Sequence, residues 1–383
     1  MKRTLALLLA ALFVLLIGCG SEYRPVKPVG EVPEEFVPLI ESGLLRKYGA
    51  IAAANGFLDS DGKDEDGDYN IDYMEFVRYD AYGREQARRR YPQDEYHGHW
   101  VMLNTADDGF LTVYGYQPRF DLEAGGWDVG DDVSSEIIKF DRLCNVEWTL
   151  TVPDCGAYSL KCCVETGNGY VFCGERETTG RFSVDHLNEP SEIQILLVSF
   201  AGELTKTVTF AGSGHAALYC AAPRADGLDL YLSSTANDGD FAQSEDGGDA
   251  ARTYWIFRLD DDLNCISKKP VAYDAKDRSE YSYYFDSYYF YHLVGYLDGT
   301  AVYSDDPRFA DADDQRIPVY DGGEVLALMD YGTFYLIVSY NLTGEIEGIP
   351  PESSRWRWTT ETVYTAFDKD GDILWRTAVD NAE

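Results

Sequence analysis

The chain has 383 residues, with 32 Lys and Arg against 67 Asp and Glu and a formal net charge of −35. A surface of that sign repels nucleic acid, which is therefore not an expected partner. Yet 45% of the residues are hydrophobic and 14% aromatic, the composition of a chain that builds a core rather than of a disordered acidic tail.

The N-terminus has the order of an export signal: Lys2 and Arg3, an apolar run from Leu5 to Ile17, then Gly18-Cys19. The run is too short for an ordinary transmembrane helix. Leu16-Ile17-Gly18-Cys19 resembles the lipobox of bacterial lipoproteins. That resemblance implies a signal peptide over 1–18, cleavage before Cys19 and a diacylglycerol on its thiol. The expected location is a bacterial cell membrane, with the protein lipid-anchored on the extracytoplasmic side. Residues 19–47 comprise the lipidated cysteine, a tether and a short helix. Pro25, Pro28 and Pro33 among charged residues keep the tether extended. Behind Pro33, the apolar residues Phe36, Val37, Ile40, Leu44 and Leu45 predict a helix over 34–47.

From residue 48 to 383 one pattern recurs, in most cases at about sixty residues. Its pieces are Phe76-Val-Arg-Tyr79-Asp80-Ala-Tyr-Gly83, Ile137-Ile-Lys-Phe140-Asp141, Leu196-Leu-Val-Ser-Phe200-Ala-Gly202, Trp255-Ile-Phe-Arg-Leu259-Asp260, Ile317-Pro-Val-Tyr320-Asp321-Gly322 and Tyr364-Thr-Ala-Phe367-Asp368-Lys-Asp-Gly371. In the third piece Phe200-Ala lacks the aspartate, and in the fourth Leu259 replaces the aromatic. A second apolar-turn-apolar signal accompanies these pieces, as at Asn55-Gly56, Asp108-Gly109, Asn168-Gly169, Asp226-Gly227, Asp298-Gly299 and Tyr331-Gly332. Asn-Gly and Asp-Gly suit the tight turns that match strand twist.

Two hairpins per repeat make four strands, and four-stranded units repeated around a ring make a β-propeller. The expected fold is all-β: six blades of about sixty residues, with five as the alternative because 301–340 is crowded. Trp148 and Trp375, each eight residues beyond the aromatic of the aromatic-Asp pair, read as core. Ile138-Lys-Phe-Asp141 with Val146-Glu-Trp148, and Phe367-Asp-Lys-Asp-Gly-Asp-Ile-Leu-Trp375, resemble blades of bacterial propellers related to quinoprotein-type repeats.

Beyond Cys19, seven cysteines remain, an odd number that leaves at least one outside any intramolecular disulfide. Several lie in apolar strand patterns, as in Leu160-Lys-Cys162-Cys163-Val164, and read as small buried hydrophobes rather than as a disulfide framework.

Asp64, Asp66, Asp68, Asp72 and Glu75 fall at positions 1, 3, 5, 9 and 12 of a calcium loop. This makes calcium the candidate cofactor. Tyr69 occupies the position where such loops require glycine, and the flank after Glu75 reads as a strand. Asp368-Lys-Asp370-Gly-Asp372 reads as turn chemistry. His97-Gly-His99 is a possible loop pair for a metal, against the simpler reading of a solvated loop. Tyr283, Tyr284, Tyr288, Tyr289, Trp356 and Trp358 form a candidate binding surface, because flat amphipathic rings stack on sugars or fill protein hot spots. Neither a nucleophile elbow nor a phosphate loop occurs, and no catalytic residue is named.

The expected function is a non-catalytic binding or scaffold module at the bacterial envelope, with an envelope protein or a glycan as partner. The alternatives are a carbohydrate-active enzyme using channel carboxylates and a subunit of an envelope assembly complex.

Overall fold

The computed structural model describes residues 27–44, 51–53, 55–63, 71–92, 97–116, 119–121, 126–128, 135–152, 160–177, 190–224, 226–242, 252–271, 293–297, 300–303, 324–345 and 358–381. They form an all-β propeller of five four-stranded antiparallel blades, the smaller of the two counts considered. Blade 1 comprises β1 (Ile51–Ala53), β2 (Gly56–Lys63), β3 (Tyr73–Asp80) and β4 (Glu85–Pro92). Blade 2 comprises β5 (His97–Asn104), β6 (Phe110–Tyr116), β9 (Ser135–Phe140) and β10 (Val146–Val152). The small hairpin β7 (Arg119–Asp121) and β8 (Gly126–Asp128) lies between its second and third strands.

Blade 3 runs through β11 (Leu160–Thr166), β12 (Gly169–Glu177), β13 (Ser191–Val198) and β14 (Leu204–Phe210). Blade 4 runs through β15 (Ala216–Arg224), β16 (Gly227–Ser234), β17 (Thr253–Leu259) and β18 (Cys265–Val271). A sixth blade is not formed among the described residues. The hairpin β19 (Leu293–Leu297) and β20 (Thr300–Tyr303) instead joins the sheet of blade 5 through one parallel bridge, Gly295 to Leu328. Blade 5 is β21 (Glu324–Asp330), β22 (Phe334–Glu345), β23 (Trp358–Asp368) and β24 (Ile373–Asp380). The repeat at Ile317–Gly322 lies outside the described residues.

The aromatic-Asp motif is the turn between the third and fourth strands. The amide of Asp141 donates to the carbonyl of Asn145 at 2.8 Å, while its Oδ1 accepts from the Leu143 and Asn145 amides, both at 2.8 Å. Asp80, Asp260 and Asp368 repeat this arrangement. The residue three positions on has positive φ in every blade: Gly83, Cys144, Gly202, Leu263 and Gly371. This is a type I turn closed by a left-handed residue, the geometry of a three-residue hairpin loop. In blade 3 the equivalent pair is Val198-Ser199, since the Ser199 hydroxyl accepts from the Glu203 amide at 3.1 Å. Phe200-Ala, which resembles the motif in sequence, is therefore two residues out of register; the turn needs a short side-chain oxygen at its first position, and serine supplies it.

The two hairpin signals are physically linked. The residue after each inner-turn glycine pairs with the residue before the turn Asp or Ser: Phe57 with Tyr79, Phe110 with Phe140, Tyr170 with Val198 and Leu228 with Leu259. A Cβ on Gly169 would lie 2.2 Å from the Val198 carbonyl oxygen, at φ +140°. In blade 5 the corresponding turn is looser, and a Cβ on Gly332 (φ +82°) would meet no atom within 4 Å.

Adjacent blades bury their faces against each other. Phe76 of blade 1 packs with Phe110 and Phe140 of blade 2; Leu111 and Val113 of blade 2 pack with Phe172 and Leu196 of blade 3. Ile193 and Ile195 of blade 3 pack with Leu230 and Phe257 of blade 4. The predicted helix is shorter than its apolar spacing suggested. A 3-10 turn, Glu34–Phe36, leads into α1 (Val37–Ser42), and Gly43 stops it in the left-handed conformation. Its task is closure: Phe36, 1% exposed, sits among Tyr82 of blade 1 and Tyr331, Phe334 and Trp375 of blade 5 at ring distances of 5.1–5.9 Å. The Tyr331 hydroxyl donates to the Ala81 carbonyl across the same seam, and Val29 bridges to Arg376 on β24.

Replacing Gly169 by Ala is expected to cost about 3 kcal/mol, since it combines a strained φ with a backbone clash, whereas Gly332→Ala should cost only about 1 kcal/mol. Urea unfolding of the two variants checks the ranking, and equal losses would refute the close-approach account.

Candidate active site

The first strands line the axis, where β1 meets β5 and β21, β5 meets β11, and β11 meets β15. Ten short turns close one end of the ring, five inner and five outer; the connections at the opposite end fall largely outside the described residues. At the short-turn end, the turn 105–109 between β5 and β6 reaches three blades.

Its Asp108 has φ +72° and accepts from Arg78 of blade 1 and from the Asn55 amide, the latter at 3.0 Å. Its Ala106 amide donates to Glu165 Oε2 of blade 3 at 2.8 Å. Its Asp107 is held by Lys139 of β9, whose Nζ lies 3.0 Å from both carboxylate oxygens and 3.0 Å from Glu147 Oε2. Lys139 is 1% exposed, while the Asp107 side chain is 56% exposed. A Cβ on Gly109 would sit 2.3 Å from the Lys139 ammonium, so the bare glycine makes room for that contact.

The two carboxyl groups are driven apart. Burial pushes Glu165 up, the neighbouring Asp107 charge adds to this, and the Ala106 hydrogen bond only partly opposes it, so Glu165 lies above the ordinary carboxyl range. Burial also pushes Asp107 up, but hydrogen bonds from Thr105, Lys139 and the Gly109 amide, with the Lys139 charge, outweigh it and leave Asp107 below that range. Tyr170 packs beside them, and burial together with the surrounding carboxylates raises its phenol. One lysine facing Asp107 and Glu147 leaves the cluster net negative when Glu165 is protonated.

None of these residues was singled out as catalytic in the sequence. The available signal was Lys139 within Ile137-Ile138-Lys139-Phe140: an ionisable side chain inside a buried strand requires a partner. The turn aspartates gave no comparable signal, because Asp-Gly is turn chemistry wherever it occurs.

Of the calcium-loop residues, Asp64, Asp66 and Asp68 lie outside the described residues. Asp72 closes the β2–β3 hairpin, its amide donating to the Lys63 carbonyl at 2.8 Å. Glu75 is 6% exposed on β3, and its carboxylate is held by Arg88 and Arg90 of β4. No group of three or more metal-ligating side chains occurs among the described residues. Of the aromatic surface, Tyr283, Tyr284, Tyr288, Tyr289 and Trp356 lie outside the described residues, and Trp358 opens β23, paired with Glu345.

His97 and His99 belong to β5 rather than to a loop. His99 is 8% exposed among Phe76, Tyr91 and Tyr114, with Nδ1 lacking a hydrogen-bond partner. Burial lowers its pKa to about 4. Its neutral form fits the seam between blades 1 and 2, and its charged form does not. Trp375 is core, as expected, whereas Trp148 is only partly buried and its Nε1 donates to the Phe200 carbonyl at 3.1 Å.

No family model and no curated protein matches the chain. Among solved structures it is similar to a Pseudomonas brassicacearum lignostilbene dioxygenase, at 10% identity and a TM-score of 0.35, over 86% of this chain and 72% of that one. It is also similar to a variant of Synechocystis apocarotenoid oxygenase, at 9% identity and a TM-score of 0.31, over 93% and 77%. A third is a chimera of that oxygenase with RPE65, at 10% identity and a TM-score of 0.32, over 93% and 77%. Likeness at this level does not carry those proteins' chemistry to this chain. They are enzymes by name, however, and the expected non-catalytic binding or scaffold role is withdrawn on that finding.

Because the folded pKa of His99 lies below its unfolded value, its contribution to stability is complete above about pH 6.5 and is lost as pH falls towards 4, by up to about 3 kcal/mol. Urea midpoints between pH 7 and 4 should fall more steeply for the native protein than for His99→Phe; parallel curves would exclude the histidine as the source.

Proposed function

We propose that the protein is a hydrolase acting by carboxyl acid–base chemistry at the short-turn end of the axis, with glycosides as substrate class. One observation carries this reading: Glu165 is hydrogen-bonded to the residue before Asp107, and the two carboxyl groups are shifted in opposite directions, Glu165 up by burial and Asp107 down by hydrogen bonds and Lys139. Two carboxyls so separated are suited to act as base and acid at one bond. Glu165, whose pKa burial raises, supplies the proton to the leaving oxygen. Asp107, held ionised, activates water or faces the positive charge that develops on the sugar ring. The net negative charge of the cluster favours an oxocarbenium-like transition state. The support is the geometry and electrostatics of these side chains in this chain, not the neighbours' names.

The predicted pH profile is a bell, its acid limb set by Asp107 and its alkaline limb by Glu165. Glu165→Gln should lower kcat by about a hundredfold or more and remove the alkaline limb while the protein remains folded. Absence of hydrolysis by the native protein across a broad panel of polysaccharides and oligosaccharides would overturn the proposal.

We also propose that the enzyme works at the outer face of a bacterial membrane, anchored through Cys19. The basis is the order of charged start, apolar run and Gly18-Cys19. The native protein should partition into detergent and incorporate labelled fatty acid. Cys19→Ala should lose both, and unchanged labelling of that variant would refute the anchor.

A further inference from the structure

The described cysteines carry no disulfide, but three of them meet where blade 3 packs on blade 4. Cys162 on β11 and Cys173 on β12 are direct cross-strand partners. Both side chains face the core shared with blade 4. Cys220 on β15 lies close enough for its charge state to respond to Cys162. Cys173 is fully buried and Cys220 is 2% exposed, while Cys162 is only partly buried.

The first strands of blades 2 to 5 each have a register shift, and Cys162 and Cys220 occupy equivalent positions at it in blades 3 and 4. Cys163, next in sequence, takes the opposite face and packs into the core shared with blade 2. The sheet therefore separates two adjacent thiols and pairs the first of them with Cys173.

We infer that Cys162 and Cys173 form a redox-active pair that closes to a cross-strand disulfide. Directly opposed residues of an antiparallel ladder have Cα atoms about 4.5–5.5 Å apart, within the span a disulfide bridges. Their Cβ atoms, about 4.5–5.5 Å apart, must draw together somewhat, which strains the bond and keeps it reducible.

The co-reactant is a small or protein disulfide. The Cys162 thiol, the more accessible of the two, loses its proton and attacks one sulfur of that disulfide, expelling the other as a thiolate. The Cys173 thiol then loses its proton and attacks the Cys162 sulfur of the mixed disulfide, expelling the second thiolate. One S–S bond forms and one is broken; two electrons pass to the co-reactant, whose two thiolates take up the two protons. Burial of Cys173 holds its thiol in the protonated form, so the second step is slow at neutral pH and accelerates with pH. Cys220 is the neighbouring thiol to which Cys162 would turn if Cys173 were absent.

The test is oxidation of the folded full chain by oxidised glutathione, followed by acid quenching and alkylation. Cleavage after Lys161 and Glu165 separates the Cys162-Cys163 fragment from the one bearing Cys173. The expected product is a linkage between these two fragments, assigned to Cys162 by fragmentation of the native protein's peptide. It should persist in Cys163→Ala and Cys220→Ala, vanish in Cys162→Ala, and form about tenfold faster at pH 8.5 than at pH 7.5. In Cys173→Ala, glutathione should remain on Cys162 or give way to Cys220. No linkage in the natively oxidised protein, or a linkage assigned to Cys163, would overturn the inference. The fragmentation assignment needs no variant and therefore stands even if a substitution prevents folding.

Discussion

The structure depends on burial between blades. A four-stranded antiparallel sheet has two faces, and in this protein both must be covered by neighbours, because third strands bury consecutive residues that point to opposite faces, as Ile195, Leu196, Leu197 and Val198 do in blade 3. A ring satisfies every blade only if it closes. Closure is reinforced by the segment around Phe36, which inserts an aromatic ring between the first and last blades beside their direct contact. The Phe36 cage, the Tyr331 to Ala81 hydrogen bond and the Val29 to Arg376 bridge all act on that one seam.

Within each blade the backbone imposes a second constraint. In blades 1 to 4 the inner turn approaches the strand-three carbonyl so closely that a side chain is excluded, and in all five the outer turn has a left-handed residue three positions after its Asp or Ser. Glycine meets the second demand in three blades. Cys144 and Leu263 accept the strain in the other two, at 0% and 1% exposure. Their side chains are buried in the interblade cores, and for a leucine that burial is worth about 1.5–3 kcal/mol against about 1–2 kcal/mol for the left-handed backbone. The balance favours the buried side chain.

The same short-turn end supplies the candidate chemistry. Once the turn 105–109 is tied to blade 1 by Asp108 and to blade 3 by Ala106, Asp107 has little freedom, and Lys139 reaches it only because Gly109 has no side chain. Structural ties and reactive groups are thus neighbours on one turn. A rigid ring holds the opposing protonation preferences of Asp107 and Glu165 at fixed geometry, although each belongs to a different blade.

The sequence alone determined the strand-turn-strand repeat, the all-β class, the propeller plan, the turn roles of Asp80, Asp141, Asp260 and Asp368, and the burial of Trp375. These are local properties: alternation, turn chemistry and apolar runs act over a few residues and leave direct traces in order and spacing. Tertiary structure decided the number of blades, because whether β19 and β20 stand alone or lean on β21 depends on which sheet their edge meets. It corrected the blade 3 motif to Val198-Ser199, since register is fixed by the partner strand. It alone brought Glu165 to Asp107, some sixty residues away in sequence, and Cys220 towards Cys162. Contacts between distant strands arise from ring packing and depend on the whole set of buried faces, so no short stretch of sequence encodes them.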